Sequence, residues 1–184
     1  MDFFRIGLIG AGSIGTRHIK AIDEVAHIEL VAVADPSPAA RALGVSRNIE
    51  VFADAESMLS ETDVEAVIIA TPTERHHADV MTALKYRKTV LVEKPITATM
   101  KEAEEVTRYA AEQECQVLVG HQRRYYPCAR MARDIIQSGR IGRLMAVSGQ
   151  WAARKDDDYY APAWRRDRKA GPIPVSYTHL TLPT

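Results

Sequence analysis

Phe4-Arg5-Ile6-Gly7-Leu8-Ile9 is a strand-like apolar run, and Gly10-Ala11-Gly12-Ser13-Ile14-Gly15 follows it without a break. The pattern Gly-x-Gly-x-x-Gly alone fits an ordinary glycine-rich turn equally well. Directly after a strand and at the start of a helix, it indicates the turn that binds the pyrophosphate of a dinucleotide. The first glycine permits the tight turn, the second lets the backbone approach the phosphates, and the third lets helix and strand pack closely. Ser13 and Ile14 open the helix, whose free N–H groups would bind phosphate.

Short apolar runs alternate with longer amphipathic stretches from Phe4 to Val119. The runs are nearly continuous in Val, Ile, Leu and Ala, as in strands that are buried on both faces of a parallel sheet. Because strand–helix alternation produces right-handed crossovers, we predict an α/β fold with a Rossmann-type doubly wound parallel sheet. The predicted strands are Phe4–Ile9, Ile28–Ala34, a weaker one at Ile49–Phe52, Ala66–Ile69, Thr89–Val92 and Gln116–Val119.

Two of the intervening stretches carry signals for the start of a helix. Thr99 and Glu102 predict a capping box before a helix that extends to Glu114. Thr73 is expected to cap a helix over Glu74–Arg87. The residues expected on one face of that helix are His77, Val80, Met81 and Leu84.

The pattern changes after Gly120. A predicted helix over Tyr125–Ser138, closed by Gly139, precedes a predicted strand at Leu144–Trp151. We place the boundary near Gly120 to Pro127, with residues 1–122 as a dinucleotide-binding domain. Residues 123–173 would begin a second α/β domain, which is incomplete because the remaining length is too short to close a second core.

Composition argues against several classes of protein. Lys plus Arg equals Asp plus Glu at 24 each, so net charge favours neither nucleic acid nor an anionic membrane as partner. No apolar run reaches the ~18 residues of a membrane span, and Asp2 is unlike the basic start of a signal peptide. Cys115 and Cys128 fit reduced thiols better than a disulfide or a metal site. We therefore expect a cytoplasmic protein.

Asp35 ends the second predicted strand, 20 residues after Gly15. A carboxylate there can accept hydrogen bonds from both hydroxyls of the adenosine ribose; a turn-forming Asp before Pro36 is the alternative. It would repel the 2′-phosphate of NADP by about 4 kcal/mol per pair of unit charges ~4 Å apart, at a dielectric of ~20. Ser37 and Arg41 lie close by and could weaken that repulsion. NAD is the expected cofactor and NADP the alternative.

Two tripeptides, Ala70-Thr71-Pro72 and Glu93-Lys94-Pro95, follow predicted strands at their carboxyl ends, where open α/β sheets bind ligands. Pro95 biases Lys94 toward an extended backbone, which would hold the ammonium at the cleft to bind a hydroxyl or transfer a proton. An isolated Glu-Lys-Pro would more often be a surface charge pair.

His76 and His77 point about 100° apart on a helix, so they cannot form a metal pair. One is expected to face the cofactor cleft and the other to pack. Asp156-Asp157-Asp158 is expected to be a solvated loop rather than a cation site. No metal is predicted.

The motifs at 10–15, 35, 70–72 and 93–95 together resemble the Gfo/Idh/MocA family of NAD(P)-dependent sugar and polyol oxidoreductases, over residues 4 to about 173. The resemblance implies that Gly10, Gly12 and Gly15 bind the dinucleotide and Asp35 its ribose. It implies that Lys94 is the catalytic lysine that contacts the substrate hydroxyl. The residues that it implies line the cofactor are Thr71, Pro72, His76 and Glu93.

The same resemblance extends past the first domain. The segment at 120–125 resembles the family's link into its second domain, with Arg123 near the substrate. Trp164 and Arg165 resemble a pair that closes over the nicotinamide, although plain packing is the alternative for Trp164. The family continues with a segment that supplies a catalytic His and with a large sheet that binds substrate and mediates oligomers. Since that His is absent, we expect the chain as it stands to be inactive and the intact protein to be a homo-oligomer.

Residues 174–184 differ in composition from the rest of the chain. Gly171 to Thr184 contain no charged residue and show neither strand nor helix periodicity. Val175 to Thr184 resemble one reading frame of a transposon-end adaptor used in sequencing libraries. We expect the native sequence to run to about Ile173 before this non-native tail, with a genuine polar tail as the alternative.

The resemblance implies that the intact enzyme transfers hydride between nicotinamide and a secondary alcohol of a sugar or inositol-like polyol. Lys94 and the missing His would move the hydroxyl proton. A non-catalytic NAD(H)-binding module or sensor is the alternative. Lys94 argues against it, because a sensor needs no lysine at the cleft.

Overall fold

The computed structural model describes residues 3–149, and the chain divides into two compact units between Gly120 and His121. The first unit alternates strand and helix throughout. Its strands are β1 Phe4–Ile9, β2 Ile28–Ala34, β3 Glu50–Phe52, β4 Ala66–Ile69, β5 Thr89–Val92 and β6 Val117–Val119. Its helices are α1 Ser13–Asp23, α2 Pro38–Arg47, α3 Ala55–Glu61, α4 Thr73–Lys85 and α5 Met100–Glu112. The second unit contains a short 3-10 helix, Gln122–Tyr125, and helix α6, Pro127–Gln137.

The strands form one parallel sheet in the order β3-β2-β1-β4-β5-β6. Strand order therefore runs outward in both directions from β1 and β4. In sheets of this kind, the loops that leave the two central strands diverge and open a crevice at the carboxyl edge. The predicted doubly wound sheet is confirmed, and the glycine-rich loop and residues 70–72 follow the two central strands, β1 and β4, at this edge.

Helices cover both faces of the sheet. Along β1 and β2, Leu8 and Val33 belong to one buried cluster, whereas Ile9 and Ala34 belong to the other. Successive side chains of a strand point to opposite faces, so the two clusters are the two layers of the core. Helices α1 and α2 pack in the first layer, and α3, α4 and α5 pack in the second. Burial on both faces is the reason why the strands read as unbroken apolar runs.

Helix α5 begins as predicted. The Thr99 hydroxyl accepts the N–H of Glu102, and the Glu102 carboxylate accepts the N–H of Thr99 at 2.9 Å, which completes the capping box. The helix ends at Glu112 rather than Glu114, because Glu114 has a left-handed backbone with φ of +55°. β3 and β6 each begin one residue later than predicted.

Helix α4 differs from its prediction at its start and on its buried face. Thr73 is the first helical residue, and Pro72 occupies the cap position without a side-chain hydrogen bond. The helix ends at Lys85, because Arg87 has a left-handed backbone. Val80 and Leu84 of the predicted face are buried, but His76 is buried in place of His77, which is only partly buried. The reason is that His76 finds hydrogen-bond acceptors inside the domain.

In the second unit the structure confirms the predicted closing glycine but not the predicted strand. Gly139 has φ of +72° after α6, as expected of a closing glycine. Residues 144–149 form no strand, contrary to the prediction for Leu144–Trp151, because a strand needs a neighbour and the described part of this unit contains none. Trp151 lies outside the described residues. Within residues 3–149, every helix is too short or too polar to span a bilayer.

Candidate functional site

The glycine-rich loop joins β1 to α1 at the carboxyl edge of the sheet. Gly10 has φ of +92°, and a Cβ there would lie 2.8 Å from the backbone N of Thr71. A Cβ on Gly15 would lie 2.0 Å from the carbonyl oxygen of Gly10. A Cβ on Gly12 would meet nothing within 4 Å. The first and third glycines are therefore required by packing within the domain, whereas the second borders open space.

The first turn of α1 has no side-chain cap. Gly12 occupies the cap position, and Ser13 and Ile14 follow with exposed side chains. The N–H groups of a first helical turn have no partners within the helix. Together with the positive end of the helix dipole, they form a site suited to an anion such as a phosphate.

Asp35 lies immediately after β2 and contacts the glycine-rich loop. One carboxylate oxygen accepts the N–H of Ala11 and the other accepts the N–H of Ser37, both at 2.8 Å. Burial raises the pKa of the Asp35 carboxyl, but the hydrogen bonds from Ser37 and Ala11 outweigh it, and the net pKa lies below the ordinary value. The side chain is therefore ionised at neutral pH. A carboxylate has about four acceptor positions, so capacity for further donors remains.

Thr71 lies in the loop between β4 and α4. Its hydroxyl donates to the carboxylate of Asp79 at 2.7 Å, and Arg75 donates to the other oxygen of that carboxylate at 3.1 Å. Asp79 is 3% exposed. Pro72 follows in the cap position of α4. The loop that carries Thr71 and Pro72 is thus tied to the first two turns of its own helix.

His76 is 1% exposed and lies between two loops. Its Nε2 is 2.9 Å from the carbonyl oxygen of Thr71, and its Nδ1 is 2.7 Å from the carbonyl oxygen of Pro95. Both ring nitrogens are engaged inside the domain, which leaves neither for direct contact with a cofactor. His77 lies 3.1 Å from the carboxylate of Glu105 on α5, without hydrogen-bond alignment.

Glu93, Lys94 and Pro95 follow β5 at the same edge. The carboxylate of Glu93 is 3.0 Å from Nε2 of His18, and its other oxygen accepts the N–H of Lys94 at 3.3 Å. Burial raises the pKa of Glu93, but interactions with His18 and, to a smaller extent, with Lys94 together outweigh burial, so the net pKa is lowered. The peptide bond between Lys94 and Pro95 is cis, and the Lys94 side chain is exposed.

Other predicted site residues lie outside the first unit. Arg123 lies in the 3-10 helix of the second unit. Trp164 and Arg165, the acidic run 156–158 and the segment 174–184 lie outside the described residues.

Two residues of this edge escaped the sequence-based prediction. His18 follows Gly15 by three residues, which places both on one face of α1. Asp79 follows His76 by three residues on the buried face of α4. This spacing was a visible signal, but it does not identify the partners, which are Glu93 after β5 for His18 and Thr71 and Arg75 for Asp79.

Comparison with known proteins gives consistent matches. The sequence profile of a family described as "Oxidoreductase family, NAD-binding Rossmann fold" matches residues 4–121. The rhizopine catabolism protein MocA of Rhizobium meliloti is 35% identical over 82% of this chain and 48% of its own length. Inositol 2-dehydrogenase of Rhizobium meliloti strain 1021 is 34% identical over 78% of this chain and 44% of its own length. This chain spans about half the length of these curated relatives.

The structure of this chain also matches a solved structure of a dehydrogenase. The structure of scyllo-inositol dehydrogenase from Lactobacillus casei, with bound NAD(H) and scyllo-inositol, superposes with a TM-score of 0.73 and 28% identity. The match covers 77% of this chain and 43% of that protein.

Proposed function

The chain belongs to the Gfo/Idh/MocA oxidoreductase family and contains its NAD-binding Rossmann domain; on that premise we propose that it is the cofactor-binding part of a dehydrogenase of sugars or inositol-like polyols. One observation carries the proposal. The glycine-rich loop, the ionised Asp35 and Lys94 all lie at the carboxyl edge of one sheet, after β1, β2 and β5. Two of the matched proteins are inositol dehydrogenases, and they suggest the substrate class.

The residues at this edge fit a dinucleotide. The open space beside Gly12 and the uncapped start of α1 would accept the pyrophosphate. The Asp35 carboxylate would accept the ribose hydroxyls with its remaining acceptor positions, and its charge would disfavour a 2′-phosphate. NAD is therefore the preferred cofactor and NADP the weaker one. Thr71 and Pro72 would line the same crevice from the loop after β4.

Bound NAD would supply the hydride acceptor, and Lys94 would act on the substrate. Its exposed ammonium follows β5 directly and can donate hydrogen bonds to a substrate hydroxyl. In the intact enzyme Lys94 would hold that hydroxyl and exchange its proton as the carbonyl forms. The family resemblance also implies a substrate-binding role for Arg123, which belongs to the second unit. The hydride transfer and the polyol substrate belong to the whole enzyme, of which this chain spans about half.

Cofactor titration tests the first half of the proposal. We expect the fluorescence of NADH to change when NADH binds to the chain, with clearly weaker binding of NADPH. Oxidation of myo-inositol and scyllo-inositol by the intact enzyme, followed by the absorbance of NADH, tests the second half. Absence of NADH binding would overturn the proposal altogether. Binding without turnover of any polyol would favour the NAD(H)-sensing alternative.

A further inference from the structure

Glu93, Lys94 and Pro95 are contacted from both faces of the sheet. His18 belongs to α1, which packs in one layer of the core, and His76 belongs to α4, which packs in the other. His18 reaches the carboxylate of Glu93, and His76 reaches the carbonyl oxygen of Pro95. Lys94 lies between these two anchored residues.

The contact from α4 is the more buried one. His76 is 1% exposed, and its nitrogens lie 2.7 Å and 2.9 Å from the carbonyl oxygens of Pro95 and Thr71. Each oxygen belongs to a loop at the carboxyl end of a different strand. The imidazole therefore bridges the loop after β4 to the loop after β5. Removing it would leave a cavity and take away the ring nitrogens that contact the two carbonyl oxygens.

The contact from α1 is a partly buried pair. His18 and Glu93 expose 21% and 17% of their side chains, with Nε2 and Oε1 3.0 Å apart. Gly120 packs against the same carboxylate, since a Cβ there would lie 3.3 Å from Oε1. The second carboxylate oxygen accepts the N–H of Lys94 itself. The position of Glu93 therefore influences the backbone of Lys94 directly.

We propose that His18 and His76 are positioning residues that together fix the backbone at Lys94. Neither needs to touch substrate or cofactor. The significance of the position of Lys94 rests on the function proposed above, whereas the anchoring of its backbone does not.

Backbone order at the segment tests the proposal in the 184-residue chain without any ligand. We expect the 15N amide order parameters of Lys94 and Ile96 to be near the rigid value of about 0.85 and to fall below about 0.6 in His76→Ala. His76→Gln, whose amide can still donate to a carbonyl oxygen, should restore most of the order. His77→Ala is the matched control, because it removes the adjacent histidine, whose contact is with Glu105 on α5. It should leave Lys94 and Ile96 rigid.

His18 is tested in the same way. His18→Ala should lower the order parameter of Lys94, and His18→Gln, which keeps a donor toward Glu93, should lower it less. Unchanged order in both His76→Ala and His18→Ala, with the sheet intact, would overturn the proposal. If His76→Ala does not fold, the order parameters of His76→Gln and of the two His18 variants decide whether the proposal holds.

Kinetics of the intact enzyme separate this proposal from the proposed function. His76→Ala should lower kcat by about a hundredfold, the typical effect of displacing a catalytic group by about 1 Å, while the KM for NAD stays nearly constant. His76→Gln should recover much of the loss. An unchanged kcat in His76→Ala would contradict a positioning role. If the wild-type enzyme oxidises no polyol, the proposed function fails, and the order parameters alone decide the anchoring of Lys94.

Discussion

Asp35 combines a structural role in the glycine-rich loop with a charge that is available to a cofactor. It accepts N–H groups from Ala11 and Ser37, which orders the glycine-rich loop, and it retains a negative charge toward the crevice. The Ala11 contact adds to the ribose-binding role that the sequence predicts. Loss of the side chain would therefore disturb both the loop and the proposed ribose contacts.

We predict that Asp35→Ala weakens NADH binding at least about tenfold, since a hydrogen bond to a charged group contributes ~1.5–3 kcal/mol. Asp35→Asn keeps one acceptor oxygen but removes the charge. It should therefore reduce the difference between the affinity for NADH and the affinity for NADPH. Fluorescence titration with both cofactors measures these effects. Wild-type affinity of Asp35→Ala for NADH, or equal affinity of the unmodified chain for NADH and NADPH, would contradict the assignment.

Lys94 is tested by separating chemistry from cofactor binding. In the intact enzyme Lys94→Ala should lower kcat by a factor of about 10²–10⁴, the usual contribution of a positioned acid or base. NADH affinity should hardly change, because the proposed contact of Lys94 is with substrate. Lys101→Ala, an exposed lysine on α5, is the control and should leave both quantities unchanged. Retention of more than a tenth of the wild-type kcat would refute the role of Lys94.

The glycine-rich loop shows how one element combines folding and binding. Gly15 is needed because α1 passes so close to the carbonyl oxygen of Gly10 that no Cβ fits. Gly12 has φ of −67° and open space beside it, so its lack of a side chain has no structural cause within the described residues. Proximity of a bound pyrophosphate is the physical reason that we propose for it.

We predict that the two glycines respond differently to alanine. Gly15→Ala should lower the free energy of unfolding by about 1–3 kcal/mol or more, because the overlapping atom belongs to the backbone and cannot move aside easily. Gly12→Ala should cost about 1 kcal/mol or less, as for a changed helix cap, yet weaken NADH binding at least tenfold. Urea denaturation and NADH titration of the two variants measure both quantities. Equal stability losses, or unimpaired NADH binding by Gly12→Ala, would argue against this division of roles.

At the scale of the whole molecule, the first unit has the features of an independent domain. Within residues 3–149 its six strands pair only with one another, and both core clusters lie within it. About 120 residues is an ordinary size for a domain with its own core. Every residue described at the candidate cofactor site, from Gly10 to Pro95, belongs to this unit.

We therefore predict that residues 1–122 fold alone and bind NADH within about threefold of the affinity of the 184-residue chain. A single cooperative thermal transition, followed by circular dichroism, would demonstrate the fold. NADH titration of both chains provides the comparison. A shortened chain without a cooperative transition would show that the first unit depends on residues beyond 122.

The sequence by itself determined the order of the strands and helices and which motifs follow the strands at the carboxyl edge of the sheet. Three signals in the sequence are local, because each is formed by residues that are close together in the chain. They are the apolar runs, the Gly-x-Gly-x-x-Gly pattern and the Thr99–Glu102 capping box. Four strands match their predicted bounds, because burial on both faces leaves an unbroken apolar run with clear ends. The spacing of the motifs was also sufficient to indicate the family that the comparisons confirm.

Only the tertiary structure decided which side chains meet. His18 and Glu93 are 75 residues apart in the chain, and His76 and Pro95 are 19 apart, so no local pattern could pair them. The burial of His76 in place of His77 has the same origin, because its ring nitrogens contact the carbonyl oxygen of Thr71 in the loop before α4 and that of Pro95 in the loop after β5. A polar group is buried at little cost only where such partners converge, and their convergence depends on how the sheet brings separate loops to one edge.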